Sequence, residues 1–330
     1  MLMVATIFVL GYFNLLPNSF LTTILLQVII ISGIPILLYS LLISKNLKQT
    51  FSDFGFKKLK GKLLILSICL AFVLYFLNIF VADCFSSIIV LLGFENAIPL
   101  ISVSNSELLT DFFLTACLPG LCEEIIHRGM MLNGCKKHGF TRYGLIFSSI
   151  LFGLMHLNIL QFFYATILGF LIGISVLATE SIWTGVIIHF TNNFLSVYFS
   201  VDKALPFKNA YNYIFGLFSN INSMAFIIIV SLIIIALLCA FTYIIKLILK
   251  IKLQTKAEMI SKELNFENLT ETEAELKVEE INRLLSNVKT LNIDKIKDNN
   301  KSSFTDKIFL YSSLCLGAIA TLFSFIAGIL

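Results

Sequence analysis

The sequence predicts an all-α, polytopic transmembrane helical bundle of about nine spans, with a cytoplasmic helical insertion before the last span. Composition predicts the class. The residues AVILMFWYC make up 58% of the chain and charged residues only 13%, where a soluble domain carries about a quarter charged. Mean hydropathy is +0.91. Apolar runs of spanning length predict the helices, because backbone groups in lipid must bond within their own segment. Lysine placement predicts the orientation.

In chain order the expected spans are 2–16, 20–44, 63–82, 109–134, 142–157, 160–178, 182–199, 223–247 and 308–329. The run 85–94 is too short to span and reads as interfacial or re-entrant, and 209–221 is ambiguous. The first stretch has no charged n-region or A-x-A site, so it is not read as a cleaved signal peptide. After the second span come Lys45, Lys48, Lys57, Lys58, Lys60 and Lys62, a cytoplasmic signal. Alternation then puts 83–108 outside, where Asp83, Glu95 and Glu107 are the only charges. It puts 135–142 inside with Lys136, Lys137 and Arg142, and 246–256 inside with Lys246, Lys250, Lys252 and Lys256. Lys203 and Lys208 are the exceptions. The N-terminus is therefore cytoplasmic and the expected location is the plasma membrane. No Lys/Arg stripe alternates with aromatics, which excludes a nucleic-acid surface.

The chain divides into N-terminal transmembrane helices (1–104), a membrane core (105–200), a further transmembrane helix (201–250), a charged cytoplasmic segment (251–307) and a C-terminal transmembrane helix (308–330). The charged segment holds 11 of the 20 acids and 10 of the 24 bases. Within it Thr270 and Glu273 resemble a capping box. Leu276, Ile281, Leu284, Leu285 and Val288 form an apolar stripe. The 270–291 helix is thus solvated, or binds a protein partner, and 292–303 is a linker. Seven cysteines, Cys69, Cys84, Cys117, Cys122, Cys135, Cys239 and Cys315, read as small packing residues with no disulfide framework.

Of the nine acids outside 251–307, seven fall at expected loops or helix ends. Glu123 and Glu124 fall inside an apolar run, where a central charge costs about 2.5–3.5 kcal/mol on insertion scales. Glu124 has Arg128 one turn on; Glu123 points about 100° around the helix and has only His127 at that spacing. His156 closes SSILFGLMHL. His189 lies mid-span, with Asn193 one turn on. At 1.5 Å per residue, Glu123 is about 20 Å from Lys136, His156 about 21 Å from Arg142 and His189 about 14 Å from Glu180. These counts put the three groups in one layer below the cytoplasmic surface.

A buried carboxylate beside a neutral imidazole can take a proton from water. A second His and an Asn can donate to a developing oxyanion. Glu123, His156, His189 and Asn193 therefore suffice for amide hydrolysis with no obligatory cofactor. Glu123, His156 and His189 could equally hold a divalent metal such as Zn²⁺, although HExxH is absent. A Cys–His dyad from Cys122 or Cys135 is a weaker alternative. Ser148 and Ser149 look like packing residues, and Gly169 with Gly173 forms a GxxxG contact.

Together, EExxxR at Glu123–Arg128, FxxxH at Phe152–His156 and HxxxN at His189–Asn193 resemble the CAAX-protease and bacteriocin-processing (CPBP, or ABI) family. SSILFG before His156 and IWTG before His189 strengthen the resemblance to its type II CAAX prenyl endopeptidases over about residues 105–200. The resemblance implies an intramembrane endopeptidase acting near the cytoplasmic face on a membrane-associated peptide or protein. Glu123 then matches the glutamate that activates water, His156 the histidine that shares it, and His189 with Asn193 the oxyanion side. Glu124 and Arg128 match the supporting acid and base. Family members carry both metalloprotease and glutamate-peptidase descriptions, so the metal question stays open. Two other readings use the same residues: a non-proteolytic immunity or scaffold protein on this fold, and a transporter or proton relay. No convincing repeat of the kind transporters use is present.

Overall fold

The computed structural model describes residues 19–44, 46–91, 108–156, 159–200, 207–217, 223–266 and 271–290. All regular structure among them is helical. The spans expected at 2–16 and 308–329, the Thr270 cap and the 292–303 linker lie outside the described residues. We number the helices α1 (Phe20–Ser44), α2 (Leu47–Asp53) and α3 (Gly61–Leu91). The composite helix α4 runs through Leu108–Phe112, Phe113–Cys117, Leu118–Glu124, Ile125–Asn133 and Gly134–Lys137. Then follow α5 (Thr141–Leu154), α6 (Ile159–Thr179), α7 (Ile182–Ser200), α8 (Lys208–Gly216), α9 (Ser223–Phe266) and α10 (Glu271–Thr290).

Four helices among the described residues are long and apolar enough to cross a membrane: Phe20–Ser44, Gly61–Ile88, Gln161–Thr179 and Ala225–Leu264. Helix α5 is apolar but shorter. Helices α4 and α7 are not among the four; they carry the polar groups of the site, including Glu123, Glu124, Arg128, His189 and Asn193.

Two expectations need correction. The described part of the 85–94 run is no separate interfacial piece: it continues α3, which has neither Gly nor Pro between its first residue and Leu91. Asp83, expected in a loop, consequently sits within that helix. Leu276, expected in the apolar stripe of the charged segment, is 66% exposed. Of the same stripe, Leu284 and Ile281 pack on Leu253, Ala257 and Ile260 of α9.

The core is formed by α3, α6, α7 and α9, through Leu70, Leu74, Ile172, Val176, Ile188, Phe241 and Ile248. Apolar burial alone gives helices in lipid little reason to associate, so close packing and polar bonds must hold them. Both are present. A Cβ on Gly173 would strike Leu145, and one on Gly153 would strike Thr166 and the Phe162 carbonyl, so α5 and α6 pack nearly backbone to backbone. Ser67 of α3 shares a hydrogen bond with Thr184 of α7 at 3.0 Å, and Asn78 donates to Asn192 at 3.1 Å.

At one end of the bundle the chain is pinned by polar contacts. Asn46 caps α2 by accepting from the Gln49 amide at 2.7 Å. The following turn threads between α4 and α7: Asn133 donates to the Phe54 carbonyl at 2.9 Å and the Ile182 amide to the Gly55 carbonyl at 2.9 Å. Asp53 is half-buried, which opposes its ionisation. Hydrogen bonds from Lys137 (2.6 Å), Gln49 (2.7 Å) and Tyr39 (3.2 Å) nonetheless hold its carboxyl below the ordinary value. Lys252, Lys57 and Lys136 all approach the Glu180 carboxylate, at 3.1, 3.9 and 3.9 Å. The three lysine-bearing stretches assigned to one side in the sequence therefore meet at one end of the bundle.

Helix α9 is 44 residues long, about 66 Å against a hydrocarbon core of about 30 Å. It carries the chain straight from the span into the charged segment. Helix α10 folds back against it, with ion pairs Lys256–Glu280 (2.8 Å) and Lys277–Glu263 (3.5 Å) flanking the small apolar seam.

Candidate active site

Helix α4 and helix α7 meet at two glycines. A Cβ on Gly120 would press on the Phe190 backbone at 3.2–3.3 Å. A Cβ on Gly185, the glycine of IWTG, would collide with Glu124 Oε2. This approach sets Glu123 and Glu124 beside His189. Below it Pro119 has no N–H to offer the Thr115 carbonyl one turn back. Asn193 Nδ2 supplies that donor at 2.9 Å.

Glu123 is 6% exposed. Gln27 of α1 donates to its Oε1 at 3.0 Å. Its Oε2 has no hydrogen-bond partner and stands 4.0 Å from His189 Nε2. That gap is too wide for a direct hydrogen bond. A single small molecule placed about 2.8 Å from each atom would bridge it at an angle near 90°.

Glu124 and Arg128 are each 0% exposed. Arg128 Nη1 donates to Glu124 Oε1 at 2.6 Å and Nη2 to the Gly169 carbonyl at 2.9 Å. The same Glu124 oxygen lies 3.1 Å from His189 Nδ1. A carboxylate only accepts, so His189 carries a proton on Nδ1, and in the neutral ring Nε2 is left unprotonated. Glu124 is thus more than the local partner of Arg128: it orients the ring that faces Glu123.

Phe152 gathers the histidines. Its ring meets those of His127, His156 and His189 edge-on, with centroids 5.3, 5.4 and 5.1 Å away. The Arg128 guanidinium lies over it at 4.5 Å. His156 comes within electrostatic reach of Glu123 and His189 without a direct hydrogen bond to either. His127 Nδ1 donates to the Glu123 carbonyl at 2.7 Å. Asn192 donates to Asn193 Oδ1 at 3.1 Å, so a chain of amides runs from Asn78 to Thr115.

All six site residues expected from the sequence fall in this region. Glu123, His189 and Glu124 are brought together directly, Arg128 through Glu124, and His156 through Phe152. Asn193 lies one turn along α7, with its amide bonded to Thr115 and Asn192. The sequence reading missed Gln27, the ring contact of His127 and the role of Phe152 as hub. The only signal Gln27 carried was being the one amide side chain in 20–44. Neither Cys122 nor Cys135 pairs with a histidine: Ser32 Oγ sits 3.6 Å from Cys122 Sγ, and Cys135 packs against Gly144.

Glu123, His156 and His189, the three candidate metal ligands, are not gathered around one point in this arrangement. Among the described residues no three His, Cys, Asp or Glu side chains are arranged to hold an ion. Two ligands on one tetrahedral zinc stand about 3.3 Å apart, closer than Glu123 Oε2 and His189 Nε2.

Residues 105–195 match the family model described as "Type II CAAX prenyl endopeptidase Rce1-like". No curated protein and no solved structure matches the chain. The match covers α4 to α6 and most of α7, the stretch that carries Glu123, His156, His189 and Asn193. With the four apolar helices it marks an integral membrane protein bearing a domain similar to CAAX-type membrane endopeptidases.

Proposed function

We propose that this chain is an intramembrane endopeptidase that hydrolyses a peptide bond near the cytoplasmic membrane face, in CAAX-type processing of a membrane-associated peptide or protein. One observation carries the reading: Glu123 Oε2 is buried without a partner and faces His189 Nε2 across 4.0 Å. A general base must have a free basic atom within reach of water, and an oxyanion donor must lie about 3 Å from the same reacting centre.

In this reading Glu123 and His156 hold the water. Glu123 Oε2 takes its proton as the hydroxyl adds to the carbonyl carbon. His189 in its doubly protonated form, with Nδ1–H on Glu124 and Nε2–H turned to the reacting centre, and the second amide hydrogen of Asn193 stabilise the oxyanion. As the tetrahedral intermediate collapses, the proton on Glu123 passes to the leaving nitrogen, so the carboxylate is regenerated. No obligatory metal enters this scheme. The test uses protein purified in detergent, wild type against Glu123→Ala, on a peptide library read by mass spectrometry, before and after exhaustive chelation. Glu123-dependent cleavage that survives chelation is expected. Activity lost on chelation and restored by Zn²⁺ would assign the metal version; binding without cleavage would assign the scaffold reading.

The topology that belongs to this proposal has about nine spans, a cytoplasmic N-terminus, the α9–α10 hairpin in the cytoplasm and a place in the plasma membrane. The convergence of Lys57, Lys136 and Lys252 on Glu180 supports grouping their segments on one side. Single cysteines at Ser52 and Asn287, in a background without accessible native cysteines, should be labelled from the same side, and one at Asn96 from the other. Labelling of Ser52 and Asn96 from one side would overturn this topology.

A further inference from the structure

We propose that Gln27 is a positioning residue that decides which oxygen of Glu123 acts as the base. The inference rests on the peptidase reading and adds a residue from α1, outside the stretch that matches the family model. Gln27 Nε2 donates to Glu123 Oε1 at 3.0 Å, across 96 residues of chain. That bond occupies one oxygen and leaves Oε2, turned toward His189, without a partner. A carboxylate free to rotate would present either oxygen and would spread its basicity over two directions. With Oε1 tied, the basic atom and the oxyanion donor keep a fixed relation, which is how orientation contributes to rate.

A second observation separates this role from ordinary helix packing. Gln27 Oε1 is buried and has no partner of its own. Most buried side-chain polar atoms have a partner; this amide is bonded only at the end that meets Glu123. The α1–α4 contact also has other support. Ile31, Leu118 and Cys122 form a buried cluster with Ile24 and Ile126 packed on it, and Ser32 meets Cys122. Removing the Gln27 amide therefore leaves the helices docked.

The experiment compares purified wild type, Gln27→Met, Gln27→Glu, Glu123→Gln, Glu123→Asp and Gln27→Met combined with Glu123→Asp. The readouts are kcat, KM and thermal stability in one detergent. Met matches the size of Gln but has no donor, and Glu matches its shape but offers only acceptors at neutral pH. Both Gln27 variants should lose about ten- to a hundredfold in kcat, the range expected for a hydrogen bond to a charged group. KM should stay within about twofold, and the unfolding temperature should fall by only a few degrees, so that the variants remain folded at the assay temperature. In the Glu123→Asp background the shorter acid withdraws from Gln27, so Gln27→Met should cost less than about threefold. Wild-type kcat in Gln27→Met, or an equal loss in both backgrounds, overturns the inference while the peptidase reading stands. Wild-type protein without Glu123-dependent cleavage overturns the reading, and the inference falls with it.

Discussion

Replacing Glu123 with glutamine is expected to lower kcat by at least about a hundredfold, the usual cost of losing a general base, while leaving the fold in place. The substitution is nearly isosteric. The new side-chain carbonyl can accept from Gln27 in place of Glu123 Oε1, so the α1–α4 hydrogen bond survives. The amide nitrogen then takes the place of Oε2 opposite His189. Its lone pair is delocalised into the carbonyl and takes no proton, so the water near it stays neutral. Burial makes the change easy to accommodate: a neutral amide costs less in this setting than a carboxylate whose second oxygen is unpaired. The variant should therefore express and unfold like wild type. The measurement is kcat/KM on a peptide from the library, alongside a melting curve. Full activity in a folded Glu123→Gln protein would remove Glu123 from the chemistry.

The helical class was legible because lipid leaves few choices, and the order of the described helices follows the apolar runs. The site was legible in part, because charge inside an apolar run is expensive and stands out. Glu123, Glu124 and Arg128 could be found on that ground alone. Spacing also showed that Glu124 has Arg128 one turn away. It could not show that Glu124 reaches His189, 65 residues later, because that contact depends on how α4 and α7 cross. The glycine that permits the crossing, Gly185, was visible only as a letter in a motif. Gln27 was missed because one amide in a long apolar helix is a weak signal until its partner is known. The stripe on α10 was legible in part: Ile281 and Leu284 pack on α9, while Leu276 fits the helical period and stays exposed. The end of α3 was misjudged because a length rule divided a run that contains no helix breaker between Lys62 and Leu91.

Replacing Arg128 with methionine should be among the most damaging single changes to stability, costing about 3–5 kcal/mol as is usual when one partner of a buried ion pair is removed. Glu124 would keep a carboxylate that is 0% exposed, with His189 Nδ1 as its remaining hydrogen-bond partner. The Gly169 carbonyl would lose its donor from Arg128, and Phe152 the cation over its face. Arg128→Lys should rescue little. A single ammonium cannot reproduce the planar fork that reaches Glu124 Oε1 and the Gly169 carbonyl together. The informative variant is Arg128→Met combined with Glu124→Gln, which removes both charges and leaves no ion stranded. If the cost of the single change comes from the uncompensated carboxylate, the double variant should recover more than half of it, as neutral replacements of buried pairs do. Activity should stay low in that protein, because an amide holds His189 less firmly than the carboxylate does. Unfolding of the three proteins in one detergent reads the first effect and kcat reads the second. A double variant no more stable than Arg128→Met would show that Arg128 acts through packing on Phe152 and Gly169 rather than through the charge of Glu124.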